Sequence, residues 1–286
     1  MIKNIINRII NFFGYKLIGN KKIVKHNDFD SIIYFILSNF EKKNKFVFFD
    51  VGANTGQSID RFLNHNDQTL IHSFEPTPEL FKILETKYSN RISKRQIFIN
   101  QFGLGNTASE MDFYSFNYNQ INSFIPIEKN SKFERSRKLA AGKNSIEFEK
   151  KIKAKVSTLD IYCKENNINN IDFIKIDTQG YEPEVLGGAY EMLLNQKIKI
   201  IEIEVILGFA YEKRLSFFDL ENKLQPHGYK LISISNSGNV IAYSNFQVDL
   251  LYVRNDIFEN LKFLHKDNTE IKNVMNAVSE EHPYSY

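Results

Sequence analysis

A chain of 286 residues, 42% of them hydrophobic, can bury a full core without disulfide or metal staples. Its single cysteine, Cys163, excludes an internal bridge and suits a reducing compartment. The net charge of +3 is too small to argue for nucleic acid as a partner, so none is expected.

That charge is unevenly spread. Residues 1–25 carry Lys3, Arg8, Lys16, Lys21, Lys22 and Lys25 with no acid, and residues 132–155 hold nine Lys or Arg against three Glu. Both basic stretches are candidates for meeting an anionic partner. In the first of them, Ile2, Ile5, Ile6, Ile9, Ile10 and Phe13 fall on one helical face. The spacing predicts an amphipathic helix that packs on the domain, contacts a second copy, or lies on a membrane surface. Arg8 interrupts the apolar run and no small-residue cleavage site follows, so neither a secretory signal nor a span is read there. The expected location is cytoplasmic, with the helix able to rest on the inner face of the membrane.

The chain then divides into a helical segment over 1–43, an α/β domain over 44–254 and a tail over 255–286. Buried strands are predicted at 45–50, 69–74, 96–102, 171–177 and 197–206, with amphipathic helices near 56–64, 77–89, 157–166 and 181–195. Pro78 opens one helix, and Ser157-Thr158 can cap another with Asp160 in its first turn. This alternation predicts a parallel sheet covered on both faces. A helix near 216–225 and strands near 229–234, 239–244 and 246–254 follow, with "SNSGN" (235–239) as a hairpin turn, so the sheet should finish in antiparallel pairing at one edge. The polar, basic stretch 115–155 breaks the alternation. It reads as a substrate-specifying insertion or lid, or as a surface elaboration.

Ligands in such sheets bind at the carboxyl ends of the strands. The first strand ends in Asp50, and "VGANTG" turns into the next helix; Gly52 and Gly56 permit a tight turn and close backbone approach. The spacing is not G-x-G-x-x-G, and no Gly-Lys-Ser/Thr follows, which excludes a P-loop. A carboxylate at that loop would repel a pyrophosphate and attract an ammonium. Glu75, at the end of the second strand, is placed to accept ribose hydroxyls. "FGLGN" (102–106) could line a purine edge or be a plain turn. Asp177 ends the fourth strand and converges on the same crevice. Glu182 and Glu184 open the next helix, where acids suit the positive dipole. Glu202 and Glu204 share a strand face and need a reason to be there: one could pair with Lys175 and the other could reach the crevice.

Taken together, "FFDVGANTGQS", "SFEPTPELF" and "LDIYCKENNINNIDFIKIDTQGYEPEVLGGA" followed by "IIEIEV" resemble the FkbM family of S-adenosylmethionine-dependent methyltransferases, over about residues 44–254. The resemblance implies a Rossmann-like class I methyltransferase fold, a seven-stranded mostly parallel sheet with an antiparallel edge strand. It implies S-adenosylmethionine as cofactor and a hydroxyl of a sugar, glycan or related small molecule as acceptor. Asp50, Gly52, Ala53, Asn54, Thr55 and Gly56 would surround the methionine part of the cofactor. Glu75 would hold the ribose and Asp177 would sit near the sulfonium and the incoming hydroxyl; Pro76 and, from the turn read above, Gly103 and Leu104 complete the cofactor-binding candidates. Gln179 stands where the commoner family form has an acid.

Methyl transfer to a hydroxyl needs the reactants in line and a group to take the proton. Asp177 is the first candidate, followed by Glu204 and Glu202. His72 lies within a strand and His227 in a turn, both poorly placed for the task. Asp177, Glu182 and Glu204 could offer oxygen ligands to Mg²⁺, although the sequence does not require a metal. The competing readings are a nucleotide-binding oxidoreductase using NAD and a non-catalytic cofactor-binding scaffold in glycan assembly.

Overall fold

Runs of Ile, Phe and Val bounded by turn residues become strands where both sheet faces are buried. A computed structural model describes residues 15–18, 22–25, 29–40, 45–131, 134–135, 148–207, 211–212, 216–235 and 246–266. The central strands are β3 (Val47–Val51), β4 (Leu70–Phe74), β5 (Ile97–Asn100), β9 (Ile171–Ile176), β10 (Ile198–Leu207), β11 (Tyr229–Ser235) and β12 (Phe246–Arg254). They form one seven-stranded sheet in the order β11-β12-β10-β9-β3-β4-β5. Pairing is parallel from β10 to β5, while β12 runs antiparallel to both β10 and β11. This is the Rossmann-like sheet the sequence predicts, with β12 lying one strand in from the rim.

Helices α1 (Phe29–Phe40), α2 (Gln57–His65) and α3 (Pro78–Lys87) pack on one face with α9 (Asn255–Lys266). The short α4 (Ser89–Ser93) follows α3. The other face is covered by α5 (Leu159–Glu165), α6 (Glu182–Gly187), α7 (Tyr190–Leu194) and α8 (Phe217–Leu224). Local signals set their ends. Pro78 starts α3, the Thr158 side chain accepts the Ile161 N–H to cap α5, and Ser216 with Asp219 forms a capping box on α8. The helix expected over 181–195 is two, broken at Gly188, where a Cβ would stand 1.9 Å from the Gly105 carbonyl oxygen.

The expected insertion 115–155 is partly a sheet. Strands β6 (Gly103–Leu104), β7 (Ser109–Phe116) and β8 (Phe148–Ser157) make a second sheet in the order β6-β8-β7. In β8, Ile152, Ala154 and Val156 turn inward while Lys151, Lys153 and Lys155 stay exposed, a period of two. Lys151 and Lys153 pair with Asp112 at 2.6 and 2.8 Å, Lys150 with Glu79, and Lys155 stands opposite Glu110. Three of the four lysines of β8 are therefore paired with acids, and Lys155 faces Glu110 across the ladder.

At the N-terminus the face built on Ile2 to Phe13 lies outside the described residues. Where the helical segment over 1–43 is expected, β1 (Tyr15–Ile18) and β2 (Lys22–Lys25) pair antiparallel, followed by α1. Tyr, Ile and Val at these positions favour strands. The strand near 239–244 and the "SNSGN" turn lie mostly outside the described residues. The tail expected from 255 begins with α9. Among the described residues no helix is long and apolar enough to cross a membrane.

Candidate active site

One face of the sheet changes chemistry along its strands. Ile71, Phe48, Phe173, Ile200 and Val253 stand in register as a buried apolar row. Two residues on, the row reads Ser73, Asp50, Lys175, Glu202 and Leu251. Two further, at the carboxyl ends, strand periodicity brings Glu75, Gly52, Asp177 and Glu204 to the same face, with Asp249 opposite Glu204. The apolar half anchors α1, α2 and α9; the polar half gathers the ionisable side chains.

The glycine loop is fixed by its neighbours. Gly52 and Ala53 N–H both donate to the Phe74 carbonyl at 3.1 Å. Gly52 has φ +92°, and a Cβ there would sit 1.9 Å from the Asp177 carbonyl oxygen. At Gly56 (φ +88°) a Cβ would sit 2.5 Å from the Tyr88 hydroxyl, which lies 2.9 Å from the Gly56 carbonyl oxygen. Both glycines thus serve close approach of the loop to the protein itself. Glu75, 4% exposed, accepts Asn54 N–H on Oε2 and Thr77 N–H on Oε1, each at 2.9 Å. Burial raises its carboxyl above the ordinary value, against those hydrogen bonds. Pro76 is buried beside it and Thr55 is half-buried in the loop. Gly103 and Leu104 do not form the expected turn: they pair as β6 with Val156 and Ser157, and a Cβ on Gly103 would meet the Phe124 ring at 2.4 Å.

Asp50 is 1% exposed, and neither carboxylate oxygen has a hydrogen-bond partner. Burial pushes its pKa up to about 7, Lys175 pulling it down and Asp177 pushing it up. Lys175 donates to Asp177 Oδ2 at 2.7 Å. Burial works against the charged form of Asp177, yet the Lys175 ammonium holds its carboxyl below the ordinary value. Gln179 Nε2 reaches Asp177 Oδ1 at 2.9 Å and Glu204 Oε1 at 2.7 Å.

Two predicted site residues are engaged elsewhere. Glu202 does not take Lys175; both its oxygens accept from the Arg61 guanidinium at 2.8 and 2.7 Å, and Arg61 also holds Asp30 of α1. Glu182 folds back to accept from Thr178 N–H and Gly180 N–H at 3.0 Å and from Thr178 Oγ1 at 3.1 Å. Burial takes its pKa to about 7. Its oxygens are therefore committed to the turn rather than aimed at a metal with Asp177 and Glu204. No group of three or more His, Cys, Asp or Glu placed to hold a metal ion is found among the described residues. His72 is a core residue, stacked on Phe98 and 2.8 Å from the Tyr162 hydroxyl, with burial lowering its pKa to about 4.

Several contributors carry no local sequence signal. Asn119, in a 3₁₀ turn after β7, accepts Asn54 Nδ2 on its carbonyl at 3.1 Å. Ser123 Oγ donates to the Gln179 carbonyl at 2.9 Å, and the Pro126 carbonyl accepts Glu212 N–H at 3.0 Å. The stretch 117–127 thereby straps the glycine loop to the turn after β9 and to Tyr211.

A family model described as Methyltransferase FkbM domain matches residues 50–231. The 2-O-methyltransferase NoeI of Sinorhizobium fredii (strain NBRC 101917 / NGR234) is 25% identical over 186 residues, 63% of this chain and 71% of that protein. Among solved structures, the chain is similar to magnesium protoporphyrin IX methyltransferase (ChlM) from Synechocystis PCC 6803 with bound SAM. The TM-score is 0.43 at 9% identity, covering 79% of this chain and 77% of that one. It is also similar to precorrin-6y C5,15-methyltransferase from Geobacter metallireducens GS-15, with TM-score 0.38 at 10% identity and coverage of 83% and 93%.

Proposed function

The chain belongs to the FkbM methyltransferase family, and we propose that it transfers a methyl group from S-adenosylmethionine to a hydroxyl of a sugar or glycan. The observation that carries the reading is the group of carboxylates on one sheet face, Glu75, Asp177 and Glu204 towards the carboxyl ends with Asp50 two residues further back, inside the span that matches the family. The O-methyl part draws on the 2-O-methyltransferase to which the chain is similar.

The donor set fits a cationic nucleoside. Asp50 offers a buried carboxylate with both oxygens unpartnered, and a positive ligand charge is what such a group lacks. Each Glu75 oxygen accepts one backbone N–H and keeps a second lone pair for a ribose hydroxyl. Asp50 and the loop from Gly52 to Gly56 would hold the methionine end. When bound, S-adenosylmethionine supplies an electrophilic methyl on a sulfonium.

The chain's own work is orientation and proton handling. Asp177, ionised and steered by Lys175, accepts the acceptor's O–H and aims its oxygen. Glu204 stands beside it across the Gln179 amide. Glu202 holds α1 and α2 on the sheet through Arg61, outside the chemistry. The strap 117–127 bounds the acceptor side and is the element that would choose the acceptor.

The test is a calorimetric titration of the full chain with S-adenosylmethionine, S-adenosylhomocysteine and NAD. It is joined to tritiated methyl transfer into free, nucleotide-linked and lipid-linked sugars. Binding of S-adenosylhomocysteine and label in an alkali-stable sugar ether are expected. Binding of NAD alone would overturn the reading, and cofactor binding without transfer to any sugar would leave the scaffold reading.

A further inference from the structure

The turn after β9 contains an amide whose every hydrogen-bonding group is used. Gln179 Nε2 donates to Asp177 Oδ1 and Glu204 Oε1, and its Oε1 accepts from the Tyr211 hydroxyl at 3.0 Å. Gln179 is 8% exposed and has φ 57°, so a left-handed backbone position is maintained for a side chain that must point inward. The orientation of the amide is determined by its partners. Turned over, its oxygen would face two carboxylates and its nitrogen a hydroxyl donor.

Carboxylates brought this close ordinarily share a proton, because two negative charges in a poorly solvated site repel. Asp177 also takes a hydrogen bond from the Glu204 carboxyl, so the two share a proton, and the Gln179 amide gives one hydrogen to each of them. We infer that Gln179 is a positioning residue for proton removal: it bridges Asp177 and Glu204 and holds them as one carboxyl pair that receives the proton of the acceptor hydroxyl as a unit. This rests on the methyl-transfer reading. As the acceptor oxygen bonds to the methyl carbon, its O–H bond breaks and the proton passes to the pair. The electron pair of the severed methyl–sulfur bond stays on sulfur, and no redox partner is needed.

The surroundings of the pair are charged on every side. Lys175 approaches from β9 and Asp50 from β3; Glu202 with its Arg61 partner lies along β10, Asp249 stands opposite Glu204 on β12, and Glu182 approaches from α6. Lys175 compensates Asp177 directly, and Gln179 donates to both carboxyls.

The test is a carbon-13 NMR titration of side-chain carboxyls in the full chain saturated with S-adenosylhomocysteine. Three variants are compared with the native chain. Gln179→Asn tolerates the left-handed backbone but is one methylene too short to serve both carboxylates. Gln179→Glu keeps the shape and replaces the donors with a third charge. Tyr211→Phe releases the amide oxygen. The apparent midpoint of the pair should rise by about one unit or more in both Gln179 variants, since each removes hydrogen bonds to the charged form. It should rise less in Tyr211→Phe, while S-adenosylhomocysteine affinity stays unchanged. An unmoved midpoint in Gln179→Asn and Gln179→Glu overturns the inference. Failure of the native chain to bind S-adenosylhomocysteine overturns the methyltransferase reading instead, and the titration without ligand still decides the role of Gln179.

Discussion

At the scale of single residues, Glu75 and Asp50 divide the proposed cofactor seat between shape and charge. Glu75 pins the loop through the N–H groups of Asn54 and Thr77, so Glu75→Ala removes a ribose acceptor and strands two backbone donors. Each stranded donor costs about 1–3 kcal/mol. S-adenosylhomocysteine should then bind at least about tenfold more weakly, the equivalent of 1.4 kcal/mol. Calorimetry checks this, and Glu75→Gln, which keeps the shape and one acceptor, should lose less. Asp50 acts through charge. With a pKa of about 7 it is protonated in mild acid, and a cation binding beside it favours the carboxylate. Binding therefore releases a proton, and affinity for S-adenosylmethionine should rise as pH goes from about 5.5 to about 7, then level off. Asp50→Asn should flatten that rise; a slope that survives the substitution would assign the proton to another group.

At the scale of elements, Arg61 joins α2 to Glu202 of β10 and to Asp30 of α1, and so fastens two helices over the apolar half of the face. Replacing one partner of such a pair leaves the other charge buried and alone, at a cost of about 3–5 kcal/mol. Arg61→Met should lower urea stability by roughly that amount, and adding Glu202→Leu should restore most of it. Equal and additive losses would show that the two side chains do not depend on each other. This pin also marks the limit of what could be read in the sequence. The strands and their terminal acids were legible because apolar runs end abruptly at Asp50, Glu75 and Asp177. The Arg61–Glu202 pair spans 141 residues of chain and leaves no local trace. The same is true of Asn119 on Asn54 and Tyr211 on Gln179. Strand β8 did carry a signal: "KIKAKV" alternates with period two, but its lysines make it resemble a polar loop until the acids of β7 are set opposite. Gly103 shows the reverse case, where a glycine pair that reads as a turn is a strand pressed against Phe124.

At the scale of the whole molecule, among the described residues the polar half of this sheet face sets Asp50, Glu75, Asp177, Glu202 and Glu204 beside Lys175 and Arg61, a setting that suits a cationic ligand. Without the ligand, the fold holds protons instead. Asp50 and Glu182 have folded pKa values near 7 where their ordinary values are 3.8 and 4.5, and Glu75 is also raised. Between those limits the folded chain binds more protons than the unfolded one, so stability falls as pH rises, by up to about 1.4 kcal/mol per pH unit for each group. His72 opposes this: it stays neutral down to about 4 in the fold and takes a proton near 6.5 when unfolded, so it favours the fold as pH rises across that window. Asp177, held low by Lys175, favours the fold above its ordinary 3.8 and loses that contribution only in stronger acid. Among the described residues the raised acids outnumber His72, whose opposing contribution ends at about pH 6.5. The melting temperature of the ligand-free chain should therefore decline from about pH 5 to about pH 7.5, the reverse of ordinary acid denaturation. Saturating S-adenosylmethionine should shrink the decline, because a bound cation lowers the pKa of Asp50 and removes its share. A ligand-free melting temperature that climbs steadily to pH 8 would mean that these carboxylates are solvated or paired in a way the buried row at the strand ends does not allow.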